Sequence, residues 1–373
     1  MSTRQQSGER PLRIAHIITP SRLSGAERYM MTLAERLNAE GHSCVILCKH
    51  RAQSVIEECA RRGLDVQPVR LYGKADVTAP FRLARRLRAV HADVVHTHLS
   101  TASLWGSVAA HLAGLPAVAT VQGRNTATCY RYADRLIANS QAVREHMLAQ
   151  GIPPERITVV YNAVDVSAFR RVLSPAEAKQ RLGLDAHRLI IGTAAHLSLK
   201  KGHDVLLRAA AEVVKAAPDC HFVLLGEGDQ RSALERLGGR LGLRDRVTFL
   251  GFRHDAADVM SAYDIFALAS WWEPFGLVFV EAMALGVPVV TTRAGGAPEV
   301  VAEGETGLLV PPGDPPALAR ALLRLATDGE LRRRLGQAGP TRAARFDVAH
   351  LASEVEAVYH AALGGRRPTA CSP

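Results

Sequence analysis

Two carboxylates eight positions apart, Glu273 and Glu281, sit in the stretch SWWEPFGLVFVEAMALGVPVVTT, residues 270–292. Pro274 and Gly276 turn the chain after the first. An apolar helical pattern carries the second, Gly286 and Pro288 end it, and Val289 to Thr292 read as a buried strand. A carboxylate among Leu, Val, Phe, Ala and Met is costly to bury unless it has something to bind. The backbone N–H groups of Phe275, Gly276 and Leu277 fall at the helix start, which suits a phosphate. Carboxylates that accept hydrogen bonds from hydroxyls, beside an anion-binding helix start, describe a site for a sugar nucleotide diphosphate. The same residues could instead be a helix-start charge and a structurally paired carboxylate.

Other groups have the right chemistry for such a ligand. In AHLSLKKGHD, residues 195–204, Lys201 precedes glycine at a helix start and can reach a diphosphate as a point charge, with His196 close by in sequence. Ser24, Gly25, Ala26 and Glu27 lie between a strand and a helix, where glycine lets backbone approach a phosphate or sugar. His98 ends the strand ADVVHTH, and open α/β sheets place their ligands at such ends. GEGDQR, from Gly226 to Arg231, resembles a dinucleotide loop but lacks the third glycine and a following acidic strand end. That argues against a Rossmann dehydrogenase.

These residues need a frame that alternates strand and helix. LRIAHIIT, CVILCK, ADVVHTH, PAVATVQG and ADRLIANS read as strands with helices between them, Ser140 capping one of these, and ITVVYNAVD closes the first half. After a linker with the short helix SPAEAKQRLGL the alternation begins again with LIIGTAAH, HFVLLG, VTFLGF, DIFALAS, VPVVTT and GLLVPPGD. Strand–helix–strand repeats of this kind build right-handed parallel βαβ units. The prediction is α/β: two doubly wound parallel sheets facing a cleft, followed by an amphipathic helix from about Asp347 to Leu363.

Composition bounds the possibilities. A chain of 373 residues suits two domains, and 47% hydrophobic with 22% charged residues is usual for a soluble protein. No apolar run reaches the ~18 residues of a membrane span, and MSTRQQSGERPLR carries no secretory signal. Residues 1–10 are polar and read as disordered, and GRRPTACSP as a loose tail. The six cysteines, Cys44, Cys48, Cys59, Cys129, Cys220 and Cys371, form no C-x-x-C pair and no metal-ligand spacing with histidine. They read as reduced thiols of a cytoplasmic protein. Residues 1–185 hold 25 of the 46 Lys and Arg but 15 of the 36 Asp and Glu, so the whole excess of +10 lies there. Arg61, Arg62, Arg82, Arg85, Arg86 and Arg88 are its densest part. FRLARRLRAV, with Phe81, Leu83, Ala84, Leu87 and Val90 as an apolar stripe, is a packed helix with a solvated face or a contact for an anionic membrane surface. Nucleic acid is not expected, since no recognition motif or stacking platform accompanies the charge.

The spaced glutamates around PFG, followed by EAMALGVPVV, resemble the donor-site signature of family 4 of the retaining glycosyltransferases. The resemblance runs from Ile14 to about Leu363. It implies the GT-B fold, with an acceptor-side Rossmann-like domain at 11–170, a nucleotide-sugar domain at 186–346, and a last helix, 347–364, returning to the first. It implies Glu281 on the ribose hydroxyls, and Glu273 on the sugar with the PFG backbone of Phe275, Gly276 and Leu277. Lys201 falls on the diphosphate, and the Gly25 loop faces the donor. Gly226 would shape the nucleotide floor and Arg253 would meet the base, while Glu299 in TTRAGGAPEVV is more often structural. Two positions depart from the family. His196 stands where arginine is usual, and Gln122 stands where a histidine often touches the sugar. YNAVD, from Tyr161 to Asp165, is a variant of the family's domain-boundary motif, with Asn162 at the hinge.

The activity implied is transfer of a sugar, with retention, from a nucleotide diphosphate sugar to a glycan or lipid-linked acceptor. It needs no metal and no cofactor, it is cytoplasmic or peripheral on the membrane's inner face, and bacterial surface polysaccharide or lipopolysaccharide synthesis is its setting. Glu273, Lys201 and His98 are the expected catalytic residues. A GT-B sugar-nucleotide epimerase and a catalytically silent sugar-nucleotide-binding subunit are the competing expectations.

Overall fold

The structure, a computed structural model, describes residues 10–19 and 25–364. The polar start, Ser24 and the tail with Cys371 lie outside the described residues. The chain divides into two units, one ending at Ala163 and resuming at Val348, the other running from Val164 to Asp347.

In the first unit, seven parallel strands form one sheet: β1 (Arg13–Ile18), β2 (Ser43–Lys49), β3 (Asp65–Val69), β4 (Val94–His98), β5 (Ala117–Val121), β6 (Arg135–Ala138) and β7 (Ile157–Val159). Their order is β3-β2-β1-β4-β5-β6-β7. The central strands are β-branched or alanine-rich and buried on both faces, because helices cover both. Ile14, Ile18, Ile46, Val94 and Val118 pack with the helices Gly25–Ala39 and Leu351–Gly364. On the other side, Ala15, Ile17, Leu47 and Val95 pack with the helices Ala79–Ala89 and Ser100–Leu112.

The second unit repeats the plan with six strands: β8 (Leu189–Ala194), β9 (Cys220–Leu225), β10 (Val247–Gly251), β11 (Ile265–Leu268), β12 (Val289–Thr292) and β13 (Gly307–Val310). Their order is β10-β9-β8-β11-β12-β13. Both units are Rossmann-like parallel-sheet domains, each with its strand order reversing beside its own first strand. The ends of the second unit are tied together: Val164 N donates to Phe346 O at 2.9 Å and Val166 N to Asp347 Oδ2 at 3.2 Å.

The structure moves some boundaries. Residues 164–170, read from the sequence as part of the first domain, belong to the second. The helix Pro175–Arg181, closed by a capping box between Ser174 and Glu177, also belongs there rather than to a free linker. A helix, Gln53–Arg61, and the edge strand β3 have no counterpart in the sequence reading. DVQPV carries proline and polar residues because one side of an edge strand needs no partner. The stripe of the basic helix is largely spent on the core: Leu83, Ala84 and Leu87 are buried, whereas Phe81 is 66% exposed.

His203 opens the helix His203–Ala216, buried, with no hydrogen-bond partner at either ring nitrogen. Burial, and then Lys201 and His196, push its pKa down to about 4. An unfolded imidazole takes up its proton near pH 6.5, so stability is full above that value and falls as the pH drops toward 4. At pH 5 the loss from this one group is about 2 kcal/mol. We predict that His203→Leu removes this component, measured as the difference in urea-unfolding stability between the two proteins at pH 7 and pH 5. Parallel losses in both proteins would contradict it.

Candidate active site

In a doubly wound sheet the loops leaving the strands on either side of the order reversal hold the ligand. In the second unit these are the loop after β8, with His196 and Lys201, and the loop after β11, with Ser270 and Glu273. Two contacts lock them together. Trp271 N donates to Lys200 O at 3.0 Å. Gly202, at φ 63°, lies so close to the second loop that a Cβ would stand 1.9 Å from Ala269 O. Any side chain there would push the loops apart, so the glycine after Lys201 is a requirement of packing as well as of conformation.

The loops meet at an ion pair. Lys201 Nζ donates to Glu273 Oε2 at 2.6 Å, and Ser270 Oγ donates to the same oxygen at 3.1 Å. Glu273 is 5% exposed, and a carboxylate that deep needs both partners. Oε2 is thus taken, and Oε1 is left to accept from a ligand hydroxyl. The backbone of Glu273 is fixed as firmly: Gly296 N donates to its carbonyl at 2.7 Å, and Gly295 approaches so closely that a Cβ would lie 2.1 Å from that oxygen. The Gly-Gly turn of TTRAGG therefore clamps the residue before PFG.

Gly276, at φ 96°, caps the helix Leu277–Ala284 and presses against Glu273, where an added Cβ would be 3.2 Å from Glu273 Cγ. The first amides of this helix thus begin beside the ion pair and offer positive dipole ends to an anion. Phe275 is buried and stacks edge-on against Phe346. Glu281 lies on the same helix, half-buried. The Gly226 loop packs under the Lys201 loop: a Cβ on Gly226 would be 2.1 Å from Ala195 O, and Leu197 N donates to Glu227 O at 3.0 Å. His196 reaches toward Asp229 of that loop, Nε2 to Oδ1 at 3.9 Å.

The remaining candidates stand elsewhere. Arg253 forms a two-bond pair with Asp255 at 2.8 and 2.5 Å, whose carboxyl it holds below its ordinary value. It lines a cavity of about 270 Å³ with Arg181 and Asp258. Glu299 lies in the short helix Ala297–Val300, whose Glu299 and Val300 carbonyls accept from Arg342. Gly25, Gln122, Asn162 and His98 are in the first unit. Gly25 starts its helix exposed, and Gln122 follows β5 with a buried, unpartnered amide nitrogen. Asn162 is buried near the unit's edge. His98 does not face an open strand end: it is 1% exposed, with His16 and His96 around it. Ser270 and the clamp of Gly295 on Glu273 escaped the sequence reading. Ser270 opens the quoted stretch three residues before Glu273, which was its only signal.

Residues 175–342 match the family model described as Glycosyl transferases group 1, and residues 23–168 the one described as Glycosyltransferase Family 4. The D-inositol 3-phosphate glycosyltransferase of Streptomyces scabiei is 32% identical over 314 residues, 75% of this chain and 70% of that protein. The enzyme of the same name from Corynebacterium kroppenstedtii is 37% identical over 243 residues, 62% of this chain, and the chain spans only about half the length, 54%, of that relative. Among solved structures, Anabaena HepE in complex with UDP-glucose superposes with a TM-score of 0.84 at 26% identity, over 94% of this chain and all (100%) of that one. Sheet order, loop geometry and these matches agree: the chain belongs to the group 1, family 4 glycosyltransferases and has their GT-B fold.

Proposed function

We propose that the protein transfers a hexosyl group, with retention of configuration, from a nucleotide diphosphate sugar to a hydroxyl of a glycan or lipid-linked acceptor. The observation that carries this reading is the Lys201–Glu273 pair beside a helix start: one cation for the diphosphate, and one carboxylate oxygen free for a sugar hydroxyl. UDP is the favoured nucleotide, because HepE was solved with UDP-glucose. Charge that develops on the leaving diphosphate meets Lys201 Nζ, the His196 ring and the first amides of the Leu277–Ala284 helix. These groups replace a divalent cation. Glu281 accepts from the ribose hydroxyls. Surface polysaccharide synthesis is the proposed setting, with the exposed Tyr72, Val77 and Phe81 beside Arg85 and Arg86 as the contact for an anionic membrane face. No helix among the described residues is long and apolar enough to cross a membrane. A phosphorylated cyclitol is the second acceptor reading, favoured by the names of the Streptomyces and Corynebacterium relatives.

The decisive experiment offers UDP-, GDP- and ADP-sugars with and without acceptors, and follows nucleotide release and the anomeric configuration of the product. Release that requires an acceptor and gives a retained linkage supports transfer. A sugar altered without an acceptor would identify an epimerase, and binding without turnover a silent subunit. Within this reading, Glu281→Ala weakens UDP binding by about 10- to 150-fold, the loss of one charged hydrogen bond of ~1.5–3 kcal/mol. Calorimetry on the folded variant checks it, and an unchanged affinity would take Glu281 off the ribose. Turnover also continues in EDTA with no Mg²⁺ added; loss of activity that Mg²⁺ alone restores would overturn the electrostatic account.

A further inference from the structure

Three histidines, among them His98, meet in the core of the first unit. His16 is in the middle of β1, and the parallel register sets it opposite His96 of β4 and Ile18 opposite His98. Residues two apart on a strand share a face, so all three rings project to one side of the sheet, toward the helices Gly25–Ala39 and Leu351–Gly364. All are at most 1% exposed. The pair His16 Nδ1 and His98 Nε2 is 3.1 Å apart. His96 is held by hydroxyls, Tyr359 Oη at 2.7 Å from Nδ1 and Thr120 Oγ1 at 2.6 Å from Nε2.

As an uncharged hydrogen-bonded group this trio is incomplete. One proton serves the His16–His98 contact, and His16 Nε2 and His98 Nδ1 are buried with no partner. Unmet groups of this kind cost about 1–3 kcal/mol each. Geometry offers a different use. One nitrogen from each ring falls within 4.8 Å of the others. The ring centres are 5.4, 5.3 and 4.2 Å apart, which leaves a point about 3 Å from all three. An imidazole bound at a metal–nitrogen distance of ~2.0–2.1 Å has its ring centre about 3.2 Å from the ion, and two such nitrogens on a tetrahedral ion are about 3.3 Å apart. The His16–His98 spacing is already close to that value.

We propose that His16, His96 and His98 bind one d-block divalent cation, Zn²⁺ foremost, which pins β1 to β4. Three nitrogen ligands select a borderline metal over Mg²⁺ or Ca²⁺, which take oxygen. When one nitrogen of His96 turns to the ion, the Tyr359 or Thr120 hydroxyl holds the other, the orienting contact that metal-bound histidines need. Tyr359 stands on the helix Leu351–Gly364, so the ion also anchors that helix to the sheet. The ion's role is structural and separate from the diphosphate chemistry of the second unit.

The test uses the whole chain, made without a histidine tag and stripped with a chelator. Zn²⁺ is titrated by calorimetry and Co²⁺ by its visible absorption, with Tm recorded throughout. The site predicts one ion per chain, Co²⁺ visible bands that saturate at one equivalent and a raised Tm. His16→Phe and His98→Phe each lower affinity by about 100-fold or more, since even a supporting residue is worth 10- to 100-fold. His254→Ala, an exposed histidine of the other unit, leaves affinity unchanged. X-ray absorption on Zn²⁺-loaded wild type counts three imidazole nitrogens and needs no folded variant. No uptake by wild type, uptake unaltered in both phenylalanine variants, or a shell without three imidazoles would each refute the site. Neither result depends on whether the protein transfers sugar.

Discussion

The second unit depends on one contact between charges: Lys201 against Glu273, in a place where the carboxylate could not stand alone. A buried carboxylate without its cation would carry the full desolvation cost, so the pair survives only if both loops are held at a fixed separation. Side-chain attraction does not supply that precision. Backbone does, through glycines at 202, 276 and 295, each of which admits a neighbour closer than a Cβ would allow. The sequence from Leu199 to Gly296 is thus constrained by the need to bring three loops into contact around a single residue, Glu273, through its Oε2 and its backbone carbonyl.

The same logic explains why a sheet of this order is used. Parallel strands bury both faces, and the loops at their carboxyl ends present the polar groups that bind ligands. The reversal beside β8 opens a gap between two adjacent loops there, and the helices that follow β8 and β11 point their free amides into it. The first unit has an identical reversal beside β1. There the sequence places histidines within the strands, and the polar groups sit inside the core rather than at its end.

Much of this was legible in the chain. Runs such as LIIGTA and VVTT are short, β-branched and bounded by turn residues, so eleven of the thirteen strands are plain, with β3 the exception on its proline-bearing edge and β7 read only as part of the closing segment ITVVYNAVD. Lys201, Glu273 and Gly276 announce themselves because charge and glycine are unusual beside apolar helices. What was hidden depends on distance in space. Nothing in the spacing of His16 and His98 says that two strands will bring them within 3.1 Å, and a lone strand-end histidine reads either as structural or as facing a cleft. Ser270 is likewise silent, because a serine before two tryptophans has many uses and only the folded loop gives it a carboxylate. Arg253 likewise has a contact that its loop does not announce, the pair with Asp255 two residues on.

The division of the chain has a consequence for how it is made. The second unit is continuous from Val164 to Asp347, whereas the first is finished only by the helix Leu351–Gly364. Leu351, Val355, Val358 and Tyr359 fill its core, and Tyr359 holds His96. On the ribosome, then, the first half of the polypeptide emerges before the residues that close it exist. Its apolar sheet face must wait, at synthesis rates of about 5–20 residues per second, for the whole intervening unit to be translated. Of the two units, the one whose translation starts first is completed second.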